Sequence, residues 1–285
     1  VSITPDDHSP LVVVCPHAGI HTPDDFKDMI AVDLQQVLAR GDRYTDWLSK
    51  NAPDHGAQFI YSTIAPSYLN VGRSMNSILP SDVRGGIHDL AYDPTDIYVN
   101  QGQGLVATKI LYGGFPIYKK GQEPDHEEIT YRIHNFYLPF HRSVKKAIDN
   151  SIEKFGLSLL FDVHSCPDTG AQAHADHGRK RPDLIIGDRY GESCDPRFVE
   201  ALKSTAKKHG FSFAMNTPYA GGFNTKFYGK TGPFKNRGGQ ALQIEWNRAT
   251  MGIDQRTFEI LDQDNFDAVA QCHDDMIKAL TAELI

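Results

Sequence analysis

Leu157-Ser158-Leu159-Leu160-Phe161-Asp162-Val163-His164-Ser165 is the stretch on which the reading of the fold turns. It opens as an apolar run too short for a helix and closes on Asp, His and Ser, as a buried strand does when its end meets a polar cleft. Similar short apolar runs recur at 11–15, 58–64, 184–186, 211–215 and 241–244, each followed by Gly, Pro, Asn or a polar cluster. Between them, at 23–40, 44–51, 130–155, 195–208 and 266–284, apolar residues fall at three- and four-residue intervals, the spacing of an amphipathic helix. Strands alternating with helices predict an α/β fold with a mixed, mostly parallel central sheet covered by helices on both faces.

The 285 residues carry no repeat, low-complexity tract or linker, so one domain over 1–285 is expected, with long site-building loops near 80–125 and 166–181. With a formal charge of −7 and no long basic run, the chain is a poor match to a nucleic-acid backbone. Lys119-Lys120 and Arg179-Lys180-Arg181 read as solvated clusters, although Arg179 and Arg181 stand close enough to a His-rich loop to attract an anionic substrate. The cysteines, Cys15, Cys166, Cys194 and Cys272, are widely spaced, with neither a CxxC pair nor a disulfide framework. No apolar run approaches the roughly 18 residues of a membrane span, and the first residues lack a charged-then-apolar leader. A reduced cytoplasmic protein is expected, with no nucleic-acid or membrane partner.

Open parallel sheets bind ligands at the carboxyl ends of their strands. Three such ends carry chemistry here: Cys15-Pro16-His17-Ala18-Gly19, Asp162-Val163-His164-Ser165 and Gln243-Ile244-Glu245-Trp246-Asn247. Two histidines and a carboxylate can hold Zn2+ and leave a fourth position for water, whose proton a further carboxylate removes. His17 and His164 are the nitrogen donors of this reading and Glu245 the base, against the blander alternative of hydrogen-bonded structural histidines. The third ligand is less marked. No HExxH helix exists, and Ile20 stands where an HxxE pair would need its Glu. Asp46, opening the 44–51 helix, is favoured; Asp24, Asp25 and His21 are rivals that can equally serve the helix start after Thr22-Pro23. Asp162 is expected on the strand face away from His164, brought back by twist as a partner behind the zinc-bound imidazole. His174 and His177, with Asp176 between, read as a solvated loop rather than a second metal site. Ser165 lacks the Gly-x-Ser-x-Gly elbow of a serine nucleophile.

The chain resembles the N-formylglutamate amidohydrolases, relatives of the zinc carboxypeptidases and aspartoacylase-type deacylases. The likeness runs through Pro16-His17-Ala18-Gly19, Arg73, Gly113-Gly114-Phe115-Pro116-Ile117-Tyr118, Tyr131-Arg132-Ile133, Tyr137-Leu138-Pro139-Phe140-His141 and Asp162-Val163-His164-Ser165. It continues through Ile186-Gly187-Asp188-Arg189, Asn216-Thr217-Pro218-Tyr219-Ala220-Gly221-Gly222 and Ala241-Leu242-Gln243-Ile244-Glu245-Trp246-Asn247-Arg248. The resemblance implies a phosphorylase/hydrolase-like fold of the zinc exopeptidase type. It also implies one Zn2+ per chain, with His164-Ser165 supplying the last ligand, Glu245 the general base and Gly221-Gly222 a substrate wall. Arg73 is expected to stabilise the oxyanion or grip a carboxylate, with Arg189 and Tyr219 as further substrate contacts; His141, beside Pro139-Phe140, is expected either to donate a hydrogen bond to the substrate or to cap a packed turn. Asp188-Arg189 reads either as an ion pair or as part of the wall. The implied reaction is hydrolysis of N-formyl-L-glutamate, a small acidic N-acyl amino acid, to formate and L-glutamate, a step of histidine degradation. One departure stands out: Asn70-Val71-Gly72-Arg73 replaces the usual Asp-Leu-Asn-Arg. It keeps open a deacylase or carboxypeptidase-like hydrolase of another N-acyl amino acid or small peptide. A non-catalytic metal- or ligand-binding protein on the same fold is the alternative of another class.

Overall fold

The computed structural model describes residues 1–87, 93, 96–111, 113–170 and 176–285. Its strands are β1 (Ser2–Ile3), β2 (Leu11–Cys15), β3 (Gln58–Tyr61), β4 (Ser158–Cys166), β5 (Leu184–Gly187), β6 (Phe213–Met215) and β7 (Gly239–Asn247). They form one sheet in the order β1-β3-β2-β4-β7-β5-β6. β3, β2, β4 and β7 run parallel at its centre, while β1 and β5 pair antiparallel to β3 and β7 and β6 runs parallel to β5. The mixed, mostly parallel sheet is therefore the expected one.

The α-helices among the described residues are α1 (Asp24–Met29), α2 (Leu34–Leu38), α3 (Thr45–Leu48), α4 (Ile97–Asn100), α5 (His126–Arg132), α6 (Leu138–Phe155), α7 (Pro196–Lys208), α8 (Phe223–Tyr228) and α9 (Gln263–Ala282). One face of the sheet packs Leu159, Phe161, Val163, Leu242, Ile244 and Trp246 against α7 and α9. The other packs Val12, Val14, Leu160 and Ala241 against α6. Burial of a side chain such as Phe161 contributes about 2–3 kcal/mol, which is why both faces of the central strands read as apolar. No helix among the described residues is long and apolar enough to cross a membrane.

The structure departs from the sequence pattern in three places. The 23–40 stretch is two helices, not one: Ile30 leaves α1 to bridge Tyr118. The backbone N–H of Asp33 then donates to Gln36 Oε1 at 3.1 Å and starts α2 afresh. The 130–155 helix begins earlier, at His126, and opens into a π turn over Ile133–Tyr137. Pro139 explains the widening, because its ring needs room at the carbonyl four residues back and it has no N–H to donate. Finally, β4 and β7 are each nine residues long and run through the polar residues expected beyond their ends. Alternation permits this: Asp162, His164, Gln243 and Glu245 all point to one face while their apolar neighbours keep the other face dry.

Candidate metal centre

That face turns from apolar to polar along its length. Leu160 and Ala241 lie in the core, and Asp162, His164, Gln243 and Glu245 follow at alternate positions, all buried. His17 comes from the turn after β2 and Asp42 from the turn between α2 and α3. Three ligand atoms converge: His164 Nδ1 lies 3.1 Å from His17 Nδ1 and 3.0 Å from Asp42 Oδ2, and His17 Nδ1 lies 3.2 Å from the same oxygen. Three ligands of one tetrahedral zinc at its usual bond lengths would be about 3.3 Å apart. Among the described residues, these are the His, Cys, Asp and Glu side chains grouped closely enough to hold a metal ion.

Hydrogen bonds behind the imidazoles fix what the converging atoms are. His17 Nε2 is 2.7 Å from Asn70 Oδ1, which also accepts the Gly72 N–H at 2.9 Å and so is identified as the oxygen. His164 Nε2 is 3.2 Å from Asp162 Oδ2. Both rings therefore carry a proton on Nε2 and direct Nδ1 inward, the tautomer a metal requires. Two Nδ1 atoms and a carboxylate oxygen in van der Waals proximity repel unless a cation stands among them. Burial works against a charged His164, but the carboxylates of Asp162, Asp42 and Glu245 outweigh it and push its pKa well above the usual value. A proton and a metal ion compete for the same place. Burial keeps His17 low, with its hydrogen bond to Asp42 opposing. It also works against ionisation of Asp42, yet the two histidines hold that carboxyl far below its ordinary range.

Asp42 is itself held from behind. Its N–H donates to His17 O at 2.8 Å. Its Oδ1 accepts from Ser165 Oγ and from Arg248 Nη2, each at 3.2 Å, which leaves Oδ2 for the centre. Arg248 also donates to Gly41 O and, through Nε, to Ser165 Oγ, so Ser165 links a buried arginine to Asp42 and is no nucleophile.

The expected third ligand, Asp46, is not in the group. It lies in the first turn of α3, partly buried, where burial raises its pKa. Among the rivals, Asp24 pairs with Lys27, Asp25 accepts the Phe26 N–H, and His21 is exposed. The missed signal was Gly41: just past the end of α2 the chain turns back, the Asp42 N–H bonding His17 O, and Asp42 is the first carboxylate after the turn. Asp162 needed no twist to reach His164, because residues two apart in a strand share a face and the expectation of opposite faces was mistaken. Asn224 Nδ2 donates to its other oxygen at 3.3 Å.

Glu245 is the Cα partner of His164 across the β4–β7 ladder. Its Oε1 accepts from Gln243 Nε2 at 2.8 Å, and Gln243 Oε1 accepts the Gly222 N–H at 2.8 Å, tying the Gly221-Gly222 loop to the carboxylate. Burial pushes its pKa up to about 8, with His164 opposing and Asp42 adding. Tyr219 sits by this carboxylate under the guanidinium of Arg181, which pairs with Asp176. Arg189 Nη1 donates to Gly221 O at 3.1 Å, and Asp188 is bonded to Asn216 rather than to Arg189. Gly221 has φ +115°, and a Cβ there would meet Thr225 and Arg189.

Of the two roles open to His141, its hydrogen bonds are those of a residue that holds a packed turn. Both ring nitrogens are engaged within the protein, Nδ1 with Tyr228 OH at 2.8 Å and Nε2 with Val71 O at 2.9 Å. Four residues earlier on the same helical face, Tyr137 OH donates to Arg73 O at 2.8 Å. Together they pin the 70–73 turn, so that Asn70 meets His17 and Arg73 lies 3.6 Å over the ring of Tyr98. Of the suggested second metal group, His174 lies outside the described residues and Asp176 is paired with Arg181.

Residues 9–251 match the family model of N-formylglutamate amidohydrolase. N-formylglutamate deformylase of Pseudomonas putida is 29% identical over 244 residues, covering 85% of this chain and 81% of the relative. The enzyme of the same name from Pseudomonas aeruginosa is 28% identical over 254 residues, covering 87% and 84%. Among solved structures, N-formylglutamate amidohydrolase from Ralstonia eutropha JMP134 superposes with a TM-score of 0.86 over 100% of this chain and 97% of that one, at 23% identity. A gene product of Agrobacterium tumefaciens gives 0.66 over 99% and 95%, at 16% identity. At these identities the two structures establish the fold alone.

Proposed function

The chain belongs to the N-formylglutamate amidohydrolase family, and on that premise we propose that it hydrolyses N-formyl-L-glutamate to formate and L-glutamate with a zinc ion held by His17, Asp42 and His164. The observation that carries the reading is the convergence of three inward lone pairs beside a buried carboxylate on the neighbouring strand. Zinc on such ligands supplies a Lewis acid toward the formamide carbonyl and lowers the pKa of nearby water to about 7.

The chain's own residues supply the proton transfers and the positioning. Glu245 Oε1 is occupied by Gln243, which leaves Oε2 to take the proton of the attacking water and hand it to the departing amine nitrogen. The proton lost by water thus ends on L-glutamate. Asn70 and Asp162 hold the Nε2–H tautomers of the two imidazoles throughout. Arg73, set beside His17 by the pinned 70–73 turn, offers its guanidinium to the substrate. Tyr219 and Arg189, on the loops that meet at Gly221-Gly222, form the facing wall.

The test is elemental analysis of the purified protein together with formate release from N-formyl-L-glutamate before chelation, after it, and after zinc is returned. About one zinc per chain and chelator-sensitive release is the expected result. Zinc without release redirects the reading to another N-acyl amino acid, and no metal after reconstitution sinks the His17–Asp42–His164 centre.

A further inference from the structure

The deeply buried arginines of this chain are each matched to a carboxylate: Arg132 to Glu128, Arg181 to Asp176 and Arg248 to Asp42. Arg40 and Arg73, both half-buried, are not. Among the described residues neither has a carboxylate within ion-pairing distance, and each keeps a buried nitrogen with no hydrogen-bond partner, Nη1 of Arg40 and Nε of Arg73. One short chain of contacts joins them: Arg40 donates to Gln103 O, the Gln103 N–H donates to Tyr98 O at 2.7 Å, and the Tyr98 ring lies under Arg73. Arg40 is steadied by Nη2 donating to Gln103 O at 2.8 Å, and Arg73 by the ring of Tyr98. Two half-buried guanidiniums without carboxylate partners in one neighbourhood are unfavourable by themselves and become favourable when an anion bridges them.

Their tethers place them at the metal centre. Arg40 is two residues from Asp42, and Arg73 is three from Asn70, whose side chain holds His17. Asp42 does not neutralise Arg40 in compensation, since one of its oxygens is taken by Arg248 and Ser165 and the other faces the imidazoles.

We propose that Arg40 and Arg73 together form the receptor for one carboxylate of the substrate, and that Arg40 is a specificity-determining residue of the site. The inference rests on the reading of the chain as a hydrolase of acidic N-acyl amino acids.

The experiment compares the zinc-loaded wild type with Arg40→Gln and Arg40→Lys on N-formyl-L-glutamate, N-formyl-L-glutamine and the α-amide of N-formyl-L-glutamate. Calorimetric binding of glutarate, an inert dicarboxylate, is measured alongside. In Arg40→Gln the KM for N-formyl-L-glutamate rises about tenfold or more with kcat within a few-fold. The effect vanishes on whichever amide lacks the bound carboxylate, which identifies it. Glutarate binding weakens by a similar factor and is partly restored in Arg40→Lys. Equal losses on all three substrates, or an unchanged KM together with unchanged glutarate binding, overturn the proposal. If the wild type turns over none of these substrates yet binds glutarate in an Arg40-dependent way, the reaction assignment falls and the anion receptor stands.

Discussion

His164 and Glu245 are partners in register across the parallel pair β4 and β7. The proposed ligand His164 and the proposed base Glu245 are thus set side by side by backbone hydrogen bonds, with no loop between them. Removing the acid function of Glu245 should therefore leave the metal site standing. Glu245→Gln is expected to retain zinc by elemental analysis while formate release falls about 10²–10⁴-fold. Zinc lost along with activity would mean that the carboxylate belongs to the metal instead.

The same carboxylate sets a pH dependence. Burial raises Glu245 to about 8 in the absence of a cation, and a divalent ion next to it would lower that value. The base must be ionised, so kcat/KM should fall as pH drops through an inflection lying below 8. Glu245→Gln should remove that inflection. A profile unchanged in shape by the substitution would assign the proton transfer elsewhere.

Asp42 and Asp46 separate cleanly by experiment. Asp42→Asn should weaken zinc binding by more than the roughly 10–100-fold typical of losing a group behind a ligand, read as metal content after dialysis against a graded chelator. Asp46→Asn should keep its zinc. The reverse order would restore Asp46 as the ligand.

Asn70 and Gly72 test the tautomer argument. Asn70→Ala frees His17 Nε2 and should cost about 10–100-fold in metal affinity, whereas Asn70→Asp keeps an acceptor and should recover most of it. At Gly72 an added Cβ would lie 2.7 Å from His17 Nε2, so Gly72→Ala should displace the imidazole and lower zinc retention. Wild-type retention in Asn70→Ala and Gly72→Ala alike would mean that His17 is not a ligand.

Acid should unfold the metal-stripped protein through its buried neutral histidines. Burial lowers both His141 and His273 to about 4, below the usual 6.5 of the unfolded chain. Their contribution is whole above the unfolded value and is lost as pH falls toward the folded one, by up to about 1.4 kcal/mol per pH unit for each group. His17 shifts in the same direction. Glu245, raised to about 8, works the other way down to its unfolded value and offsets one of these groups. The urea midpoint should therefore still decline between those two pH values, but by less than the histidines alone would give, and a midpoint that rises there would contradict the burial argument.

How much of this was legible beforehand depends on how local each determinant is. The alternation in 157–165 and 241–247 is local, and it marked His164 and Glu245 as strand-end residues, although the shared face of Asp162 and His164 was misread and the pairing of the two strands came only from the structure. The continuation of each strand was underestimated, because a polar residue in a strand reads as the strand's end unless the paired strand carries one at the matching position. The break of 23–40 was hidden for a similar reason: its cause is a bridge from Ile30 to Tyr118, far along the chain.

By itself the sequence determined the sheet, its two covered faces and the histidines and glutamate near its carboxyl edge, since periodicity and burial follow from the order of side chains along each element. Tertiary structure decided that Asp42 rather than Asp46 completes the trio, that His141 pins a turn, and that Arg40 and Arg73 are joined through Gln103 and Tyr98. Those outcomes rest on hydrogen bonds such as Arg248 to Asp42, which joins residues 206 positions apart. No local pattern encodes such a bond, because its energy exists only once both partners are buried together.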